Sequence, residues 1–355
     1  MGFAFLLLMS LAILVAVADA WILRGNSAPV RGLGEVIRDQ LSVVAGRVNA
    51  GHLGAGLLAL ITLPARMFQE HPGLTMLLAV PAAVSGAVFG GAISRTASTE
   101  FARRERTPWI EAIVLSARKG WTQALATVLP LVLISVAAAG VAVVGKVMLG
   151  FATTSPLGGV LFGAQVLACT SITLALCVFL LALPMLTPAV LAEGTDSIDS
   201  IQRSAAYVVA QPVRYLAYAI ILVAQILLFT AILAALIRAA FVLTGALSAM
   251  FLPDPYAALV RQSSAFGTLP TLGLDAGEYP RWQARSGELI VFWRRVLVFA
   301  VPASYAVSSF YTAGAALYLA MRRLCDGQDP AELWNPGDDE STSPRAFTSE
   351  GGDDL

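Results

Sequence analysis

The residues of this chain that could do chemistry gather in two short stretches. Residues 105–117 read Glu-Arg-Thr-Pro-Trp-Ile-Glu-Ala-Ile-Val-Leu-Ser-Ala and residues 193–205 read Glu-Gly-Thr-Asp-Ser-Ile-Asp-Ser-Ile-Gln-Arg-Ser-Ala, with six of thirteen positions identical and no gap. Glu193, Asp196 and Asp199 fall within seven residues, a carboxylate density that could coordinate a cation. A structural use fits the spacing better: acids in a first helical turn complement its positive end, and Asp199 and Arg203 can pair at i,i+4. Glu105 and Glu193 hold equivalent places, and each is expected to tie its turn to Arg95, Arg103 or Arg203 rather than to move protons. An ionisable group beside a membrane core is also where a transporter would couple its ion. Thr107 and Thr195 are placed to N-cap a short helix, with Pro108 suited to its first position and Glu111 or Asp196 near its positive end.

Other chemistry has no sequence support. His52 and His71 lack metal-ligand spacing, and Cys169, Cys177 and Cys325 form neither a disulfide framework nor a zinc pattern. No phosphate loop, nucleophile elbow or dinucleotide fingerprint occurs. No catalytic residue, cofactor or metal is therefore expected, and the chain reads as a non-enzyme.

The elements that must position these turns are membrane helices. Only 13% of the 355 residues are charged while 57% are apolar, about half the charge of a soluble domain. Runs without Asp, Glu, Lys or Arg cover residues 1–18, 71–94, 120–145, 147–192, 215–237 and 296–321. A span needs roughly 20 apolar residues. The expected fold is all-α, a polytopic transmembrane bundle of about six spans. Residues 1–23 form an N-terminal span or a signal segment, since Ala18-Asp19-Ala20 fits a signal-peptidase site but no basic region precedes it. Residues 24–73 read as a non-cytoplasmic amphipathic or interfacial region, in which 52–68 is half-inserted. Residues 74–247 hold the transmembrane core, 248–290 a non-cytoplasmic loop with one short helix after Pro255, and 291–323 the last span. Residues 324–355 make an acidic cytoplasmic tail, disordered from about 335.

The core contains the two matching stretches 88 residues apart, each between a span entering the cytoplasm and one leaving it. That implies two parallel span-elbow-span repeats. In each elbow Ile110 with Ile113, or Ile198 with Ile201 and Ala205, forms an apolar stripe for the inner leaflet or the bundle. Trp109, Trp121, Tyr215 and Tyr218 are expected as interfacial anchors. Arg95, Arg103, Arg104, Arg106, Arg118 and Lys119 lie in the 94–120 loop and no basic residue lies in the 148–159 turn, which puts the elbows in the cytoplasm.

Two stretches carry a family likeness. Phe89-Gly-Gly-Ala-Ile-Ser-Arg95 leading to Ala102-Arg-Arg-Glu-Arg106, and Ala192-Glu-Gly-Thr-Asp-Ser-Ile-Asp-Ser-Ile-Gln-Arg-Ser204 followed by Gln211-Pro-Val-Arg-Tyr215, resemble an uncharacterised family of polytopic bacterial inner-membrane proteins. The second is also similar to the membrane domain attached to some glycerophosphoryl diester phosphodiesterases. The likeness covers about 85–215, with a looser echo in Tyr311 to Arg323 and Asp326-Gly327. It implies a bacterial inner-membrane location and no catalysis, because the chemistry of those phosphodiesterases belongs to their separate soluble domain.

Net charge is zero, 23 basic against 23 acidic residues, so no nucleic-acid partner is expected. The expected partners are the bilayer and proteins docking at the elbows and the acidic tail. The leading expectation is a non-enzymatic structural or accessory module. The alternative is a transporter or lipid-handling protein with a cavity between the repeats, suggested by Pro130, Pro184, Pro188 and Pro302 in or beside spans.

Overall fold

The computed structural model describes residues 2–25, 32–50, 52, 55, 59, 62–150, 155–253, 256–264, 281–329 and 331–334. Among these there is no strand. The helices are α1 (Gly2–Gly25), α2 (Leu33–Asn49), α3 (Leu63–Glu70), α4 (Pro72–Arg103), α5 (Trp109–Arg118), α6 (Gly120–Leu149), α7 (Ser155–Glu193), α8 (Ser197–Ala210), α9 (Pro212–Ala249), α10 (Tyr256–Ser264), α11 (Arg281–Arg295) and α12 (Val301–Asp326). A π-helical turn, Val296–Ala300, joins the last two. Six helical stretches are long and apolar enough to cross a membrane: Gly2–Ala20, Pro72–Arg103, Gly120–Met148, Gly158–Glu193, Pro212–Ala249 and Arg285–Asp326. The chain is an all-α membrane protein with about six spans. The tail beyond 334, the 150s turn from 151 to 154 and most of 51–61 lie outside the described residues.

Length decides where the functional residues sit. At 1.5 Å per residue α4, α7 and α9 measure ~48, ~58 and ~57 Å, against a hydrocarbon core of about 30 Å. Each helix overshoots. In α4 the excess is its polar last third, where Ser94, Arg95, Ser98 and Thr99 are buried. Pro81, Pro130, Pro184 and Pro188 lie inside helices that continue through them. Pro302 does more, because it has no N–H to donate to Val298, and the widened turn lies directly before it.

The described residues fall into two compact units, Met1–Gly90 with Ala217–Phe310 and Gly91–Leu216 with Tyr311–Leu355. In the first, both carboxylate oxygens of Asp19 accept the Gly34 N–H, at 3.1 and 3.0 Å, which caps the start of α2. Ala18 and Leu33 are buried beside that cap, with Val15, Met67, Leu74 and Leu78 against them. The 281–290 stretch, expected as loop, is the first part of α11. Tyr256 of α10 meets Trp282 edge-on and shares a hydrogen bond with Ser286.

The second unit holds both elbows, and each is a short helix as expected. α5 and α8 begin 88 residues apart, in the register of the sequence match. Their packed faces are not the isoleucine stripes. Ala112, Leu115 and Ser116 are buried in α5, and Ser200, Ser204, Tyr207 and Val208 in α8, whereas Ile110 and Ile198 are exposed. Helices that meet without a hydrophobic drive gain from close backbone approach, so small residues face inward. The hydroxyls of Ser94 and Ser204 are buried without a hydrogen-bond partner, so size is what these positions use. Gly314 of α12 lies tight against main chain, the carbonyl of Pro184. That oxygen lacks its usual i+4 donor because residue 188 is proline. A Cβ at 314 would overlap it. Gly314→Val should therefore destabilise the fold by about 1–3 kcal/mol as overpacking does, read as a lowered midpoint of thermal unfolding in detergent. Gly73→Val, with open space around it, is the control that should leave this midpoint unchanged.

Candidate functional site

The candidate site is the carboxyl end of α7. A helix leaves its last carbonyls without intrahelical donors, and its dipole makes that end negative. α7 adds a further negative charge there by ending on Glu193. The surroundings answer with cations. Arg95 of α4, buried at 4% exposure, donates from Nη1 to the Leu191 carbonyl at 3.0 Å. Lys119, at the junction of α5 and α6, donates from Nζ to the Gly194 carbonyl at 2.8 Å. The Gly194 N–H closes on Val190 at 3.0 Å, and the Trp334 N–H reaches the Ala192 carbonyl at 2.8 Å. Because Lys119 follows the first elbow and Gly194 precedes the second, the two elbows lie side by side at one end of the unit.

The Glu193 side chain, 7% exposed, is bound by three groups. Arg203 of α8 donates to Oε2 and also pairs with Asp199 at 3.1 Å, the expected i,i+4 contact. Arg322 of α12 lies with Nε 3.3 Å from Oε1, and the Tyr318 hydroxyl donates to the same oxygen. Tyr318 and Arg322 are four residues apart and share one face of α12. Beside them the Tyr207 hydroxyl donates to Asp326, and its ring lies 5.9 Å from that of Tyr318.

A strap completes the site. After α12, Gly327 takes a left-handed φ of 67° and the chain folds back. Arg322 donates to Gln328 Oε1 at 2.6 Å and to the Glu332 carbonyl at 2.8 Å. Arg103 donates to the carbonyls of Ala331 and Leu333 at 3.1 and 3.0 Å. Leu333 is buried, and the Trp334 ring lies over Gly194, whose φ of +68° suits glycine. The Lys119 ammonium stands 5.0 Å from that ring.

Several sequence expectations change here. Thr107 and Thr195 do not N-cap the elbows. The helices begin one residue later, with Pro108 and Asp196 at the cap positions and no side-chain cap bond. The threonine hydroxyls are engaged elsewhere, Thr107 with Thr99 at 2.7 Å and Thr195 with Ser200 at 2.8 Å. Tyr215 is no interfacial anchor: it is buried and donates to the Leu181 carbonyl. Trp109 and Trp121 are exposed as expected. Of the matched pair of glutamates only Glu193 is drawn in, while Glu105 and Glu111 are exposed. Tyr207 and Trp334 were not singled out from sequence, and Tyr318, Arg322 and Asp326 were touched only by the looser echo over 311–327, with no role given to them. The i,i+4 spacing of Tyr318 and Arg322, and Trp334 as the aromatic residue at the head of an acidic tail, were the available signals.

The geometry is that of a closed ionic joint. Among the described residues no group of three His, Cys, Asp or Glu is placed to hold a metal. A separate open groove of about 850 Å³ lies between α6 and α7, with Ala138, Ala142, Phe162, Gln165, Cys169 and Cys177 in its walls. Across it Gln165 donates to the Val141 carbonyl at 3.1 Å. Comparison with protein-family models, curated proteins and solved structures finds no match.

Two outcomes follow from the joint. Glu193→Ala leaves the buried Arg322 without its carboxylate and should cost on the order of 3 kcal/mol, seen as a lower unfolding midpoint that Glu193→Gln restores only in part. Burial first, then the Asp326 hydrogen bond and charge, push the Tyr207 phenol above the ordinary tyrosine value. The folded state thus favours the protonated phenol. Its stabilisation is present below pH about 10 and is lost as pH rises through the folded value. An alkaline unfolding series should therefore fall less steeply above pH about 10 for Tyr207→Phe than for the wild-type chain; equal slopes would discard this assignment.

Proposed function

We propose that this chain is a non-enzymatic accessory module of a bacterial inner membrane, whose elbow face is cytoplasmic and docks a protein partner. The observation that carries this reading is the use of the charges gathered in the joint. Glu193, Arg203, Arg322 and Asp326 are bound to one another or to tyrosine hydroxyls, and Arg95 and Lys119 to main-chain carbonyls. Groups held this way shape a surface rather than serve a reaction. The surface itself is unusual for a cytoplasmic face: Trp109, Ile110 and Val114 are exposed on the first elbow, Trp121 at the start of α6, and Ile198 and Val209 on the second elbow. Arg104, Arg106 and Arg118 stand among the first group and suit the inner-leaflet side.

The shared register of the elbows and the long-short-long order of helices around each support descent from one duplicated span-elbow-span unit. The likeness to the membrane domain of glycerophosphoryl diester phosphodiesterases fits the same role, since that domain accompanies a catalytic partner without supplying chemistry.

The α6/α7 groove favours a second reading. It lies between the last helix of the first repeat and the first helix of the second, at membrane depth, with mainly apolar walls, and it is wide enough for an acyl chain. Under that reading the chain handles a lipid.

Purification from native membranes in mild detergent should retain one protein at fixed stoichiometry, and Ile198→Glu should release it. A chain that emerges alone in both cases sinks the accessory role. For the second reading, native mass spectrometry should show a retained lipid that Ala142→Trp, which fills the groove, removes; retention that is indifferent to this substitution discards it.

A further inference from the structure

The strap 327–334 is held as a ligand is held. Arg103 and Arg322 bind it through three main-chain carbonyls, contacts that carry no sequence information, and Arg322 also holds the Gln328 side chain at Oε1. Two further side chains add selectivity. Leu333 is 4% exposed, and Trp334 covers Gly194, where a Cβ would fall 2.5 Å from the indole. The strap folds its own turn, with Ala331 N–H on Asp329 Oδ1 at 3.0 Å and Glu332 N–H on the Asp329 carbonyl at 3.1 Å, so its shape is set locally. The Trp334 N–H supplies a donor to the end of α7, on the Ala192 carbonyl. Anchors of this kind, an aromatic and an aliphatic residue in desolvated notches ringed by polar contacts, dominate peptide binding.

We infer that the cleft bounded by Arg103, Lys119, Gly194 and Arg322 is a peptide-binding site for a short turned segment ending in Leu-Trp, and that residues 328–334 are its resident occupant in cis. The tether to α12 keeps the occupant at millimolar effective concentration, so a modest intrinsic affinity suffices to fill the site. A peptide of the same chemistry supplied from outside therefore competes poorly until the strap is loosened. The inference stands apart from the accessory role, since it concerns what the cleft holds and not what the elbow face meets.

The test uses the full chain in detergent and a dye-labelled peptide of residues 327–336. Trp334→Ala, which removes the resident anchor, should bind the peptide at least tenfold more tightly than the wild-type chain does. The double variant Trp334→Ala, Gly194→Val, in which a side chain fills the notch, should lose that gain, and so should a peptide whose tryptophan is replaced by alanine. Amide exchange supplies a second reading that needs no variant: in the wild-type chain residues 327–334 should exchange at least tenfold more slowly than in the free peptide. Equal peptide binding by both chains, binding by neither, or exchange in the intact chain as fast as in the free peptide would each overturn the inference. Should Trp334→Ala fail to fold, the wild-type exchange decides alone.

Discussion

A glutamate at the wrong end of a helix is the constraint from which the second unit follows. α7 ends with Glu193, so a carboxylate is added where the helix dipole is already negative, and it is 7% exposed. Left alone it would cost several kcal/mol. Cations from four other elements remove that cost: Arg95 from α4 and Lys119 from the end of the first elbow on the carbonyls, Arg203 from the second elbow and Arg322 from α12 on the carboxylate. Burying this charge therefore requires all of these elements to assemble. In lipid, where apolar surface gives helices little reason to choose one neighbour over another, such a polar joint is what fixes the arrangement.

The joint also explains why the packed part of the unit is not the part that lies in hydrocarbon. The apolar windows of α6 and α7 are almost wholly open within the chain, at 6% and 11% buried, and so are free to meet lipid. Burial concentrates in the overshooting ends and the elbows, among Ser94 and Ser98 of α4, Ser116 of the first elbow and Ser200 and Ser204 of the second, with Gly314 against Pro184. Small residues let backbones approach, and only then do long side chains such as Arg95 and Arg322 reach carbonyls on a neighbouring helix. Close packing and charge pairing depend on each other.

Much of this was legible in the sequence, for reasons that differ by element. Charge-free runs of bilayer length give the spans because composition alone sets them. The short helices between them follow from acids and small polar residues at helical spacing, and the Asp199–Arg203 contact needs nothing beyond i,i+4 geometry. Helix starts moved by one residue, since Thr107 and Thr195 found hydroxyl partners in Thr99 and Ser200, and a local cap loses to such tertiary choices. The apolar stripe of each elbow was seen with both the leaflet and the bundle open to it, and its leading residues, Ile110 and Ile198, are exposed. Periodicity marks a face and cannot tell protein from lipid as the thing it meets. Tyr215 misled for the same reason: a tyrosine at interface depth has a hydroxyl that bonds as readily to a helix carbonyl as to water. The Arg322–Glu193 pair and the seat of Trp334 on Gly194 were hidden because each joins residues more than a hundred positions apart in sequence.

The two matching stretches show how like sequences come to different uses. Positions 112 and 200, and 116 and 204, are buried in both copies, and 110 and 198 are exposed in both, so the helical frame is kept. The leading glutamates part company. Glu105 follows Arg104, a non-glycine residue with φ of 57°, and faces outward, while Glu193 is the last residue of an unbroken helix and precedes a glycine in the left-handed region. Only at the second copy does the glutamate close a helix and Gly194 leave room for Trp334. There Tyr318 and Arg322 of α12 reach the carboxylate, and the strap, also held by Arg103 beside the first copy, covers Gly194. The asymmetry thus rests on which copy keeps its glutamate on the helix: that one carboxylate, fixed at a buried helix end, must be matched by charge, whereas its twin sits in a turn beside water and needs nothing.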